Sequence, residues 1–437
     1  MKRSIFILLA LIAIDASLSE LISPPRLVKQ PPKDELLFQV VRPDKDHKPF
    51  VIECEAEGYP APVYKWTKNG KLFKSFPSDG SGNLEISTPQ DDDEGQYQCY
   101  AVNEAGIATS NSVFVRKVEL NQFQGTEIKT VTVNEGDSFY LTCTAPEGWP
   151  KPIIYWILQD YQGSIKSINN SRITIDPKGT LWFSNVTQED LSKDFYYRCM
   201  TMLPFLIEFK LGTRIMLNVV PTESSDSQNK REPIIQYVTN QSEVAYRGKT
   251  AELFCIFSGT PLPEVTWSKD GKAIKTSDRL SYRNYGKSLR MKNIDFNDEG
   301  VYTCEASNDV GRIASYSINL KIMSEPFFTV EPKIVNAEEG EDVKFHCEAH
   351  GEPKPDIKWT YNGNPILEAP YNPRREVTKN SILIRDVNIY DIANYGCNAT
   401  NTIGYIYKDV YINVSAAKDE TSQPPIEYTG GVETGEN

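Results

Sequence analysis

The sequence predicts an all-β protein made of four tandem sandwich domains, and three observations support this prediction. The eight cysteines fall into four successive pairs whose members are 45 to 56 positions apart. A tryptophan follows the first cysteine of each pair by roughly a dozen residues, and a tyrosine lies two positions before the second. Because the same unit recurs four times in register, we interpret it as a repeated domain.

Two cysteines on facing strands with this tryptophan and tyrosine are typical of an immunoglobulin sandwich, in which the indole packs on the disulfide and the tyrosine hydroxyl bonds back to the preceding corner. The predicted disulfides are Cys54 with Cys99, Cys143 with Cys199, Cys255 with Cys304 and Cys347 with Cys397. The predicted core aromatics are Trp66, Trp156, Trp267, Trp359, Tyr97, Tyr197, Tyr302 and Tyr395. The number of residues between the two cysteines of each pair leaves no room for the extra strand pair of a variable domain, so we predict I-set-like domains.

The copies of the repeat and the breaks between them predict the domain boundaries. We expect a signal peptide over residues 1–19, domains over 23–117, 118–220, 232–323 and 324–415, a flexible linker over 221–231, and a disordered acidic tail over 416–437. The apolar run at the N-terminus is too short to span a membrane, and we expect no membrane span elsewhere. The linker is long enough to let the third and fourth domains fold back beside the second and first as a horseshoe.

Composition argues against several classes of function. The net charge of −12 disfavours nucleic acid as a partner. The disulfides use every cysteine, and no nucleophile elbow, metalloprotease motif or phosphate loop is found. His346 and His350 flank Cys347, but a strand would splay the two imidazoles. We therefore predict no enzyme activity, no cofactor and no metal.

Several polar and aromatic residues have both a functional and a structural interpretation. Asn-x-Ser/Thr triplets mark candidate glycosylation sites at Asn169, Asn185, Asn240, Asn398 and Asn413. Asp298 and its counterparts Asp93 and Asp391 are interpreted as corner residues that pair with a basic side chain, with Arg279 the candidate in the third domain. Trp149 and Trp182 lie outside the core-tryptophan position. Each is interpreted either as an exposed interface anchor or as a residue buried at a domain junction.

Four runs outside the core signature resemble the neuroglian-type cell adhesion molecules of the immunoglobulin superfamily. These runs are residues 24–31, 163–172, 181–187 and 394–401, and the resemblance covers about residues 20–415. It implies a bent, four-domain arrangement and adhesion by contacts between like molecules. A chain of four such domains also resembles hemolin, a related secreted immune protein of insects.

The resulting functional expectation has two alternatives. The first is an extracellular protein, associated with the cell surface through its partners, that mediates adhesion by binding itself or another cell-surface immunoglobulin-superfamily protein. The second is a secreted immune recognition protein. Such a protein binds carbohydrate or lipid on microbial surfaces, and it also binds the surfaces of blood cells. Disulfide bonds persist in oxidising compartments, which agrees with secretion in either case.

Overall fold

The computed structural model describes residues 22–40, 48–78, 80–125, 127–204, 208–222 and 230–416. The predicted signal peptide, most of the predicted linker and the tail beyond residue 416 lie outside the described residues. The described part forms four β-sandwich modules with separate hydrophobic cores, which confirms the all-β prediction. Its helical segments are 3₁₀ turns of three residues each: Asp91–Asp93, Gln188–Asp190, Asn284–Gly286, Phe296–Asp298, Ile366–Glu368 and Ile389–Asp391.

Module 1 is built from nine strands. They are β1 (Ser23–Lys29), β2 (Leu36–Phe38), β3 (Phe50–Ile52), β4 (Glu55–Tyr59), β5 (Val63–Lys68), β6 (Lys71–Phe76), β7 (Leu84–Ile86), β8 (Gly95–Asn103) and β9 (Gly106–Lys117). The larger sheet has the order β2-β9-β8-β5-β6, with β2 parallel to β9. The pairs β1-β4 and β3-β7 form the opposite layer.

Module 2 follows after one residue. Its strands are β10 (Glu119–Leu120), β11 (Ile128–Asn134), β12 (Phe139–Leu141), β13 (Gly148–Trp149), β14 (Ile153–Asp160), β15 (Ile165–Ser167), β16 (Ile173–Ile175), β17 (Leu181–Phe183), β18 (Phe195–Met202) and β19 (Phe209–Val220). The sheet β11-β19-β18-β14-β15 packs on the sheet β12-β17-β16.

Module 3 has a four-stranded sheet, β20-β22-β26-β25, and a larger sheet, β21-β28-β27-β23-β24. Its strands are β20 (Arg231–Val238), β21 (Ser242–Tyr246), β22 (Ala251–Thr260), β23 (Glu264–Lys269), β24 (Lys272–Ala273), β25 (Leu280–Arg283), β26 (Ser288–Met291), β27 (Gly300–Ser307) and β28 (Ala314–Val330).

Module 4 repeats the plan with sheets β29-β37-β36-β32-β33 and β30-β35-β34. Its strands are β29 (Val335–Glu338), β30 (Val343–His346), β31 (Glu348–Glu352), β32 (Asp356–Tyr361), β33 (Asn364–Pro365), β34 (Arg375–Val377), β35 (Ser381–Ile384), β36 (Ala393–Thr400) and β37 (Tyr405–Ser415). Strand β31 pairs with the C-terminal part of β28, so one 17-residue strand belongs to both module 3 and module 4.

The disulfide and the tryptophan form the centre of each core. Cys54 and Cys99, for example, have their Cα atoms 6.5 Å apart, and Trp66 beside them is fully buried. The indole Nε1 of Trp66 donates to the carbonyl oxygen of Gly82 at 2.7 Å, which satisfies the polar atom of a buried ring. The corresponding disulfides and buried tryptophans are Cys143–Cys199 with Trp156, Cys255–Cys304 with Trp267, and Cys347–Cys397 with Trp359.

The tyrosine corner is present in all four modules. Tyr97, Tyr302 and Tyr395 each donate to the backbone carbonyl of an aspartate four positions upstream, at 2.8 to 3.1 Å. In module 2, Tyr197 donates to the carbonyl of Asp190, seven positions upstream, at 3.1 Å. The longer connection in module 2 thus forms the same corner with a different spacing, which is why no aspartate lies four positions before Tyr197.

The corner aspartates of modules 2, 3 and 4 also hold a basic residue across the end of the sandwich. Asp391 lies 2.8 Å from Arg374, and Asp298 lies 2.6 Å from Arg279. Module 2 makes the same contact between Asp190 and Arg172 at 2.6 Å. The side chain of Asp391 is 1% exposed and that of Asp298 is 21% exposed. Burial therefore makes the ion pair of module 4 more important for stability than that of module 3.

We predict that Asp391→Asn destabilises module 4 by about 3 kcal/mol, because the substitution leaves the Arg374 charge without its partner in a mostly buried setting. The matched change Asp298→Asn in module 3 should cost about 1 kcal/mol, since solvent screens that more exposed pair. Hydrogen exchange of the full chain measures both effects, with roughly 100-fold faster exchange expected in β36 of the first variant. Equal effects on β36 and β27 would contradict the prediction.

Candidate functional site

The chain folds back on itself, so that module 4 packs against module 1 and module 3 against module 2. The first contact brings β9 and the preceding turn of module 1 against β36 and β37 of module 4. A Cβ atom at Gly106 would lie 2.5 Å from Oδ1 of Asn394, so a larger residue there would displace the Asn394 side chain. Gly363, with a φ of 80°, has the same role opposite Thr109 Oγ1, which a Cβ would approach to 2.7 Å.

A polar network fills this contact. Asn394 is 1% exposed, and its Nδ2 donates to the carbonyl of Pro25 in module 1 and to Asp409 Oδ2, both at 2.9 Å. The Thr109 amide of module 1 donates to the same carboxylate at 3.3 Å, and the Tyr407 hydroxyl donates to Asp409 Oδ1 at 3.1 Å. Burial among these uncharged donors raises the pKa of Asp409 to about 8.

Further contacts surround the network. The hydroxyl of Tyr405 accepts from the Ser112 amide at 3.0 Å and donates to its carbonyl at 3.2 Å. Lys33 of module 1 lies 3.2 Å from Glu325 and 5.3 Å from the Tyr405 ring centroid. The contact is thus mainly polar, as is common between domains of one chain.

Modules 2 and 3 form the second contact. Asn185 of module 2 is 7% exposed, and its Nδ2 donates to the Gly259 carbonyl of module 3 at 3.2 Å. Gln236 donates in the opposite direction to the Phe183 carbonyl at 2.9 Å. Lys287 is almost completely buried between the modules and donates to the carbonyl of Ser171 at 2.5 Å. Its burial, and secondarily the charge of Arg172, lowers the pKa of Lys287 to about 8.

The two additional tryptophans lie at module junctions. Trp149 donates to Glu35 of module 1 at 3.1 Å, and the guanidinium of Arg116 lies 4.2 Å from its ring. Trp182 of module 2 lies 6.4 Å from the ring of Tyr237 in module 3. Both side chains thus lie at junctions, but neither is fully buried there, and Trp149 is 38% exposed.

Sequence reasoning placed its candidate cysteines and core aromatics inside the modules, where they do not line the contacts between modules. It did not identify Gly106, Asn362, Asp409 or Lys287 as contact residues. Asn394 lay in one of the runs that carried the family resemblance, which was the one available signal. A single polar residue on an outward strand face has no sequence pattern that distinguishes a contact from a solvated surface.

Comparisons with known proteins agree with this architecture. An immunoglobulin I-set domain family model matches residues 234–322 and 326–414, and an immunoglobulin domain model matches residues 24–103. Hemolin of Manduca sexta is 32% identical over 407 residues, which cover 90% of this chain and 94% of that protein. A crystal structure of the insect immune protein hemolin covers 90% of this chain and 100% of its own, with 31% identity and a TM-score of 0.77. Neuroglian of Drosophila melanogaster is 50% identical over 428 residues, which cover 96% of this chain.

The chain belongs to the immunoglobulin superfamily, in the family that contains neuroglian and hemolin. The expected resemblance and the tandem immunoglobulin architecture are confirmed. The chain spans about a third of the length of the neuroglian-type relatives it matches, since it covers 33% of neuroglian and 30% of chicken neurofascin.

The candidate glycosylation sites of this family member differ in their surroundings. Asn169 and Asn240 are exposed, whereas Asn398 and Asn413 are half-buried. Asn169 accepts a hydrogen bond from the Tyr285 hydroxyl of module 3 at 2.7 Å. A glycan on Asn185 is incompatible with the folded-back arrangement, because the side chain that would carry it is buried in the contact with module 3.

The two histidines beside Cys347 have separate environments. His346 lies 3.0 Å from Glu348, and His350 packs between the rings of Phe296 and Phe327, with centroids 5.8 and 5.5 Å away. Across the described ranges there is no group of three or more side chains suited to hold a metal ion. Those ranges also contain no apolar helix of the length that a bilayer crossing requires.

Substituting Gly106 by valine should open the contact between modules 1 and 4, because its side chain would collide with Asn394. We expect a lower sedimentation coefficient and a larger radius of gyration by small-angle X-ray scattering. Gly80→Val in the same module is the matched control, since a Cβ there meets nothing within 4 Å. Unchanged dimensions of the Gly106 variant would show that the contact does not hold the chain closed.

The contact should also depend on pH through Asp409. When the modules separate, its pKa returns towards the usual value of about 4. Between about pH 4 and 8 the closed chain therefore binds one more proton than the open chain. The contribution of Asp409 to the stability of the closed chain is complete below about pH 4 and is lost as the pH rises to about 8. Arg26 and Lys408 line the adjacent cavity.

Sedimentation of the chain at about pH 5.5 and 8.5 measures this effect, with the more compact form favoured at the lower pH. The variant Asp409→Asn should reduce the difference, because its amide is uncharged at both values. A difference of the same size in the variant would assign the pH dependence to another group.

Proposed function

We propose that this chain is an extracellular adhesion protein that binds a second copy of itself or another immunoglobulin-superfamily protein on a cell surface. The observation that supports this most is the match to neuroglian along almost the whole chain. The chain also shares its fold with hemolin, whose crystal structure was presented as having implications for homophilic adhesion. The domain boundaries given by the sequence, with modules over 23–117, 118–220, 232–323 and 324–415, are part of this proposal.

An extracellular location is supported by the disulfides. Four bonds of this kind persist in oxidising compartments and are rare in the cytosol. The N-terminal run of residues 1–19 has the composition of a signal peptide. Association with a cell would then follow from the partner that the modules bind.

Binding rather than catalysis is supported by the surroundings of the acidic candidates. Asp298 and Asp391 each hold an arginine, and the backbone carbonyl of each accepts the tyrosine hydroxyl of its corner. Asp93 accepts from the Gln90 amide at 2.9 Å and forms the equivalent corner with Tyr97. These carboxylates are thus engaged in holding the ends of the sandwiches together.

An aromatic patch on module 4 is the first surface to test for a partner. Leu367, Tyr371 and Tyr390 are 93%, 91% and 85% exposed, although large apolar side chains usually gain from burial. Tyr371 and Tyr390 line one cleft of about 290 Å³ at the end of the module. Aromatic residues are enriched in protein interfaces, so this aromatic patch is a candidate contact for a second copy.

Immune recognition is the second candidate function. Its support is the similarity to hemolin of Manduca sexta, which extends over 94% of that protein at 32% identity. In that case the ligand would be carbohydrate or lipid of a microbial surface, or a component of blood-cell surfaces. Neither candidate requires a cofactor or nucleic acid.

Beads coated with the purified chain test the proposal. We expect the beads to aggregate, and we expect excess soluble chain to suppress aggregation by occupying the same contacts. The variant in which Leu367, Tyr371 and Tyr390 are replaced by serine should reduce aggregation at least tenfold if the aromatic patch carries the contact. A variant with Val28 and Val63 replaced by serine is the control, since these apolar residues are also exposed but lie on module 1.

Dispersed beads carrying folded, disulfide-bonded chain would contradict homophilic adhesion. Binding of the same beads to bacterial surface polysaccharide or lipid would then favour immune recognition. Aggregation that persists in the aromatic-patch variant would retain homophilic adhesion and assign it to another surface.

A further inference from the structure

A second cavity lies between modules 1 and 4, beside the polar network of Asn394 and Asp409. Its walls come from β8 and β9 on one side and from β32, β36 and β37 on the other, and it encloses about 320 Å³. Small-molecule sites commonly range from roughly 300 to 1,000 Å³. The cavity therefore has room for a sugar ring, and we call it the intermodule cavity.

The walls of the intermodule cavity have the chemistry of a carbohydrate site. The lining side chains present hydroxyl and amide groups together with tyrosine rings, and none carries a charge at neutral pH: they include Gln98, Thr109, Ser112, Thr360, Tyr405 and Tyr407. A polyhydroxylated ligand supplies donors and acceptors that match these hydroxyl and amide groups.

Asn398 forms part of the same wall and begins the triplet Asn398-Ala399-Thr400. Its Oδ1 accepts a hydrogen bond from Thr400 Oγ1 at 3.2 Å. Its Nδ2, the atom to which an N-linked sugar is attached, donates to no other group of the described residues. A sugar on this nitrogen would begin at the wall of the intermodule cavity, and the remainder of the glycan would leave through the open side.

Asn185 provides a contrast within the same chain. Both asparagines belong to glycosylation triplets, and both lie at a contact between folded-back modules. The Nδ2 of Asn185 donates to the Gly259 carbonyl, and the residue is only 7% exposed. The contact between modules 2 and 3 therefore excludes a glycan, whereas the contact between modules 1 and 4 leaves room for one.

We propose that Asn398 carries an N-linked glycan whose first N-acetylhexosamine occupies the intermodule cavity and contacts both module 1 and module 4. Attachment forms a bond from Nδ2 to the anomeric carbon of the sugar and breaks the bond from that carbon to the diphosphate of a lipid-linked oligosaccharide. The amide nitrogen loses one proton, and the diphosphate is the leaving group. The inference rests on the proposed extracellular location, because this donor is a reactant of the secretory pathway.

The bound sugar acts as a brace between the modules. Its hydroxyl groups would pair with side chains of β9 on one side and of β37 on the other, including Ser112 and Tyr405. Separation of the modules would expose those groups, so the glycan favours the closed chain. The face of module 4 that carries Asn398 thus becomes a glycan-filled contact within one molecule.

The experiment uses the full chain secreted by insect cells with its own N-terminal leader. Mass spectrometry of glycopeptides gives the occupancy of Asn398 and of Asn240, whose exposed position makes its glycan a report of passage through the secretory pathway. Peptide N-glycosidase then releases glycans from the native chain and from the reduced, denatured chain. We expect Asn398 to be occupied, and its release to be at least tenfold slower from the native chain than from the denatured chain.

The Gly106→Val variant should remove this protection, because opening the contact between modules 1 and 4 exposes the bond to the enzyme. Asn398→Gln should lower the sedimentation coefficient of the secreted chain, whereas Asn413→Gln, on the same module but away from the intermodule cavity, should leave it unchanged. An unmodified Asn398 in chain that carries a glycan on Asn240 would overturn the inference without affecting the adhesion proposal. Release from native chain as fast as from denatured chain would also overturn it.

Discussion

The close approach of the turn before β9 to strand β36 is the constraint on which the folded-back arrangement depends. Gly106 lacks a side chain, and this allows the amide of Asn394 to reach the backbone of module 1 at Pro25. Asn394 in turn orients Asp409, and Asp409 accepts the amide of Thr109. Each group of the network is positioned by the previous one, so a small displacement at the glycine affects the whole contact between modules 1 and 4.

The connections between modules explain why two contacts are enough to close the chain. Strand β28 runs without interruption from module 3 into module 4, and only Val118 separates β9 from β10. Each pair of modules therefore behaves as a unit with limited internal freedom. The ion pair of Arg231 with Asp137 joins module 3 to module 2. Closure then requires the alignment of two units rather than of four.

Closure determines which surfaces remain available to a partner. The outward sheet faces of modules 1 and 4 contact each other, so much of the area that tandem immunoglobulin modules often expose is used within the chain. The aromatic patch of module 4 remains exposed. The polar nature of the closing contact has a second consequence, because the protonation of Asp409 and the groups in the intermodule cavity alter its strength without affecting the cores.

The sequence by itself determined the fold class, the module count and the family. The pairs of cysteines, the core tryptophans such as Trp66 and the corner tyrosines such as Tyr97 recur at spacings set by strand geometry within each module, and local geometry is visible in sequence. The corner of module 2 differs, because Tyr197 bonds to Asp190 seven positions upstream, a spacing that the repeated pattern does not give.

Only the tertiary structure decided which outward-facing residues meet. Gly106 and Asn394 are 288 positions apart and lie in different modules, and no periodicity links two residues whose contact depends on how separate modules are arranged. The same applies to Asn185 and Asn398, which begin equivalent triplets in the sequence. The amide of Asn185 donates to the carbonyl of Gly259, whereas a cavity between modules 1 and 4 lies beside the amide of Asn398. That difference arises only when the chain folds back.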